Sequence, residues 1–161
     1  MATVVVGLVL AVVGTLVALH SRSAPPAHGG VGTVEPVADG SDPNRAGCGS
    51  GAVTLARVNL HFPAATLAGQ LELRYSSRCR AAWSRFEPAP TWHPGDGVVV
   101  TVWTIRPADQ ASQQYTVPFA GETIIGNMLM TLPGCIVVEA SMVQGTSTSP
   151  VATIGCQRIG S

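Results

Sequence analysis

Val98-Val99-Val100-Thr101-Val102-Trp103-Thr104-Ile105 carries apolar side chains at positions of both parities, the pattern of a strand at the centre of a sheet. Pro94-Gly95-Asp96-Gly97 directly before it is a turn that sets where the strand begins. Upstream, Leu71-Glu72-Leu73-Arg74-Tyr75 alternates strictly. Its Leu71, Leu73 and Tyr75 would share one face while Glu72 and Arg74 take the other, giving a half-buried strand. Residues 52–60, 82–86, 113–117, 127–132, 136–143 and 151–156 are further short β-type runs between turn residues, and helical periodicity is hard to find. Residues 48–161 therefore read as one all-β domain, a small β-sandwich or barrel. About 115 residues suffice for a single core.

Outward from that domain the composition changes twice. Residues 21–47 are rich in Pro, Gly, Ala and Ser without apolar periodicity, which reads as a flexible linker. Before them, Ala2 to Leu19 runs eighteen positions without a charge. Residues 1–20 are thus expected to be a transmembrane helix or a signal peptide. The local charge and the cysteines disagree about orientation. Arg22 follows the apolar run and no Lys or Arg precedes it, so the positive-inside rule alone would leave the domain in the cytoplasm. Four cysteines in a Pro- and Gly-rich chain favour export. The resulting expectation is a single-pass protein with an extracytoplasmic C-terminal domain, or else a secreted one. Ser21-Arg22-Ser23 fits a cleavage site only moderately, so a retained anchor is preferred. The absent basic flank suggests that a cytoplasmic portion precedes Met1 in the full gene product.

Cys48, Cys79, Cys135 and Cys156 are separated by thirty, fifty-five and twenty residues, with no C-x-x-C pair. Structural zinc sites use close ligand pairs, so two disulfides are expected in place of a metal. Three connectivities are open. Cys48 with Cys79 and Cys135 with Cys156 is preferred, because residues 136–155 read as a hairpin turning at Gly145-Thr146-Ser147, which brings the last two cysteines opposite each other.

The densest chemistry lies around the second cysteine, where Arg74, Arg78, Arg80 and Arg85 fall within twelve positions beside Tyr75 and Trp83. Two readings compete. In one, the guanidinium groups stack on rings and pair with Glu72 and Glu87 to finish a corner around the disulfide. In the other they bind phosphates or carboxylates of the cell envelope, which Arg can hold bidentately. The sequence here resembles an actinobacterial family of unknown function whose hallmark is L-R-Y-S, two variable residues, then C-R-A-A-W and an Arg. Asp42-Pro43 and Cys48 match the start of that family's domain. The resemblance implies a secreted or membrane-anchored protein and supports the Cys48–Cys79 pair. Its longer members carry a lambda-repressor-type helix-turn-helix before the membrane segment, but none is found in this chain.

Function classes narrow accordingly. Net charge is formally zero, 11% of residues are charged, and all nine basic residues are Arg. No broad basic field for nucleic acid results. Trp83, Trp92 and Trp103 are expected in cores before a sugar platform, with Trp92 the one most exposed on a loop. His61 and His93 are the only histidines of the folded part, and neither G-x-S-x-G nor H-E-x-x-H occurs. No catalytic residue, cofactor or metal is implied. The first expectation is a non-catalytic, envelope-facing binding or sensing module, whose partners are the membrane through the N-terminal helix and an anionic envelope polymer or a protein. An exported enzyme such as a cell-wall hydrolase is the alternative, and a cleft joining His61 or His93 to a carboxylate such as Asp96 would mark it. A structural subunit that docks a partner is the third.

Overall fold

The computed structural model describes residues 34–132 and 134–159. The expected membrane or signal helix at residues 1–20, and the linker before residue 34, lie outside the described residues. The strands are β1 (Val53–His61), β2 (Leu67–Ser76), β3 (Ala81–Pro88), β4 (Val98–Arg106), β5 (Ala111–Pro118), β6 (Ile124–Ile125), β7 (Leu129–Met130), β8 (Ile136–Gln144), β9 (Ser147–Thr148) and β10 (Ala152–Gln157). Among the described residues there is no helix, and so none long and apolar enough to cross a membrane. The strands form two five-stranded sheets. One has the order β1-β2-β3-β6 with β7 also against β3, the other β10-β8-β4-β5 with β9 against β8, and all pairs are antiparallel. The sheets do not close on each other, so the molecule is a sandwich and not a barrel.

β4 lies between β5 and β8, at the centre of its sheet. Its residues Val98, Val100, Val102, Thr104 and Arg106 are buried, while Val99, Thr101, Trp103 and Ile105 stay half exposed. The other sheet covers one face only, so the apolar character of the second face leaves side chains at the surface. Opposite β4, Leu71, Leu73, Ala82 and Phe86 of the first sheet are fully buried and share the main core with Val100, Val102, Val138, Ala140 and Met142. Such interdigitation of two inner faces is what holds a sandwich together. One polar tie crosses it: Thr104 Oγ1 accepts from the Ser84 backbone N–H at 3.0 Å and lies 3.2 Å from Ser84 Oγ.

Trp92 departs from its expected exposure. It is buried, its indole N–H donates to the Phe62 carbonyl at 2.8 Å, and its ring lies 6.3 Å from Phe86 and 4.8 Å from Phe119. The loop folds back because a large aromatic can fill the end of the core once its one polar group is satisfied.

A second, smaller core sits outside the first sheet, made by Ala46, Cys48, Cys79, Ala81, Trp83 and Met128. Residues 34–47, assigned to the linker by composition, carry ordered contacts there. Asp42 Oδ1 accepts from the backbone of Asn44 (2.7 Å) and Arg45 (3.0 Å), and the Pro43 carbonyl takes the N–H groups of Cys48 and Gly49. This local Asp capping folds the segment into a compact turn. Cys48 is bonded to Cys79 and Cys135 to Cys156, with Cα separations of 5.8 and 5.3 Å. The second pair joins the ends of the β8–β10 hairpin, whose turn uses Gly145 at φ 58°, a conformation that favours glycine.

Candidate functional site

Strand register brings the arginines onto one surface. On the outer face of the first sheet, Arg57, Glu72 and Arg85 are direct cross-strand neighbours, and Thr54, Arg74 and Trp83 form the adjacent row. Opposite charges in a row support the pairing of their strands. Glu72 takes the alternate face to Leu71 and Leu73 as the pattern demands, yet it is buried where exposure was expected. Three guanidinium groups cover it. Its Oε1 lies 2.7 Å from Arg57 Nε, and its Oε2 lies 3.5 Å from Arg85 Nη1 and 3.9 Å from Arg74 Nη1. Thr54 Oγ1 donates to Oε2 at 3.3 Å.

Arg74 is held in place from several sides. It donates to Thr54 Oγ1 at 2.6 Å and to the Ala52 carbonyl at 2.7 Å, and its side chain is 18% exposed. Arg85 pairs with Glu87, which also accepts from Thr123 Oγ1 at 2.9 Å, and keeps 31% of its side chain exposed. Arg85 therefore has more free surface than Arg74, although less than Arg57. Arg74, Trp83 and Arg85 line an open depression of about 320 Å3 together with Asn44, Thr123 and Ile125. Trp83 is only 2% exposed, so it offers a ligand little surface. Arg57, Arg74 and Arg85 against Glu72 and Glu87 leave one net positive charge in the cluster.

The other two arginines of the expected set stand elsewhere. Arg78 is exposed and donates to the Gly47 carbonyl beside the Cys48–Cys79 bond. Arg80 occupies the β2–β3 turn at φ 52°, its side chain in solvent and its carbonyl accepting both the N–H (2.8 Å) and the hydroxyl (3.0 Å) of Thr131. Neither lines the depression. The tryptophans also part: Trp83 lies in the outer core, Trp92 in the main core, and Trp103 half exposed on the second sheet, so they share no platform.

His61 lines a separate hollow with Asn59, Pro150 and Thr153, a lining without a carboxylate. His93 and Asp96 are exposed on the loop before β4. Among the described residues, no group of three or more His, Cys, Asp or Glu side chains is placed to hold a metal ion.

One ion cluster had no sequence signal. Arg106 is buried at the end of β4, and its guanidinium meets Asp39 (3.0 and 2.7 Å), Asp109 (2.9 and 2.6 Å) and the Met130 carbonyl (2.8 Å). Hydrogen bonds from Arg106 hold the carboxyls of Asp39 and Asp109 below the usual range, and the two aspartates in turn push Arg106 up. Its tie to Asp39 crosses 67 residues of chain and fastens the N-terminal segment to the second sheet. Asn44 and Thr123 were likewise missed, since neither belongs to a motif and folding alone brings them beside the arginines.

A family model described as a protein of unknown function, DUF2690, matches residues 37–122. That span is just over half of the 161 residues and includes Asn44, Arg74, Trp83 and Arg85 as well as the first disulfide. No curated protein and no solved structure matches the chain.

Proposed function

The chain belongs to the DUF2690 family, and from that premise we propose that it is a non-catalytic binding module on the outer side of a cell membrane, taking anionic groups of the envelope. In this reading the protein is actinobacterial, and Leu73-Arg74-Tyr75-Ser76 with Cys79-Arg80-Ala81-Ala82-Trp83 is its signature. The observation that carries the proposal is the convergence of Arg74, Arg85 and Trp83 from two neighbouring strands on one depression, where guanidinium groups outnumber carboxylates. Arg85 supplies the accessible charge, and Asn44 and Thr123 add neutral polar groups. Such a set suits a carboxylate or a phosphodiester, both of which accept paired hydrogen bonds from arginine.

Placement rests on two further features. Two disulfides suit an oxidising compartment, and the uncharged stretch Ala2 to Leu19 suits delivery across a membrane, as a retained anchor or a removed leader.

The test uses the full chain in detergent with poly(glycerol phosphate) and polygalacturonate as phosphate and carboxylate probes. Arg85→Ala should weaken binding about tenfold, the loss of one charge-assisted contact. Its fold should persist, since Arg57 still covers Glu72. Arg78→Ala and Arg80→Ala, which lie off the depression, should bind as the parent does. Absence of binding to both polymers, or equal losses in all three variants, would overturn the proposal.

A further inference from the structure

At the rim of the second sheet, β5 ends the order β10-β8-β4-β5, with nothing paired to its far side among the described residues. Two other rims of the sandwich are blunted. β1 has two register shifts and carries Arg57 and His61, and β10 has a register shift before Gln157. β5 has neither device: eight successive pairs run from Val99↔Pro118 to Arg106↔Ala111 without a shift, and its sequence Ala-Ser-Gln-Gln-Tyr-Thr-Val-Pro has no charge. A regular, uncharged rim of this length is a template for another strand unless something covers it.

Beside that rim the two sheets part. Tyr115 lies opposite Val102, which is fully buried, yet Tyr115 itself is 42% exposed, so its ring stands at the mouth of the sandwich. An open groove of about 310 Å3 runs there, with Tyr115 and Val117 on one wall, Ile124 and Ile125 on the other, and Asp42 and Glu122 in its lining. No Arg or His lines it. It borders the arginine depression at Thr123 and Ile125, but its charge is of the opposite sign.

We infer that β5 and this groove bind an extended peptide of another protein, which adds as a strand to β5 and sets apolar side chains against Tyr115 and Ile124 and a basic side chain against Asp42 or Glu122. Main-chain hydrogen bonds to the open rim supply affinity, while the groove reads alternate side chains. The pair of carboxylates selects the occupant. A second copy joined through its own β5 would bring no cation to them, since that strand contains none.

The probe is the fluorescein-labelled peptide Lys-Thr-Val-Thr-Val-Thr-Lys, whose Lys and Val residues share one face, titrated onto the full chain in detergent. Saturable binding is expected, with slowed hydrogen exchange at the amides of residues 112–117. Replacing both peptide Lys by Glu, or Glu122 by Lys in the protein, should weaken it about tenfold or more. Glu122→Lys should leave polyanion binding through Arg85 no weaker, so failure of this proposal and failure of the polymer reading give different results. Unchanged exchange at β5, equal affinity for the Lys and Glu peptides, or a dimer that already protects β5 without peptide would each overturn it.

Discussion

Arg106 brings a full positive charge into the end of the sandwich, and the position is tolerable because five hydrogen bonds to two carboxylates and a carbonyl replace its water. Truncating it leaves Asp39 and Asp109 facing each other with no cation between them. Breaking a fully buried pair typically costs about 3–5 kcal/mol; both aspartates reach solvent here, so Arg106→Ala should cost about 2 kcal/mol, measured by urea unfolding. The aspartates also fix the sign of the acid response. Their folded pKa values are depressed, so the stability they contribute is complete above the ordinary Asp range and is lost as pH falls through the folded values. Melting temperature should drop below about pH 4, and Asp39→Asn should flatten that limb; an unchanged limb would disconnect the cluster from acid stability. None of this was legible in the sequence, because Asp39 stands in a Pro- and Gly-rich stretch far from its partner. Trp92 misled for a related reason: its loop neighbours Pro94 and Gly95 signal a turn but do not say that the indole reaches back to Phe62.

Strands of eight or more residues announced themselves in the sequence, whereas of the two-residue strands only β7 fell within an expected run, residues 127–132, which is longer than the strand that forms. Residues 98–105 anticipated β4, and residues 136–143 with the Gly145 turn anticipated the β8–β10 hairpin, since period-two patterns between turn residues are local signals. β6, β7 and β9 are too short for any period, and only their pairing with β3 or β8 defines them. Burial distinguishes the two cross-links at this scale. Cys48 and Cys79 lie in the outer core with Trp83, while Cys156 is exposed. Closing loops of 31 and 21 residues contributes a similar chain-entropy term to each, about 3–4 kcal/mol. Replacing Cys48 and Cys79 by Ala should therefore lower the melting temperature more than replacing Cys135 and Cys156, because it also unpacks Trp83 and the segment at residues 43–48. Equal losses in the two double variants would show that the outer core adds nothing.

At the scale of the whole molecule, alternation and turn spacing called for a sandwich or a barrel, and long-range pairing decided between them: among the described residues β5 and β1 remain open ends of separate sheets. The site was half legible for the same reason. Arg74, Trp83 and Arg85 converge because β2 and β3 are adjacent in sequence and in space, while Arg78 and Arg80 fall in the turn between them and do not line the depression. An open two-sheet domain carrying two disulfides is a structure suited to life outside a reducing cytosol. The proposed binding role depends on export to such a compartment. The direct measurement is the mass of the protein taken unreduced from its native cells, quenched in acid and alkylated while denatured. Export predicts that none of Cys48, Cys79, Cys135 and Cys156 takes the label; a chain carrying the alkyl group on all four would contradict it.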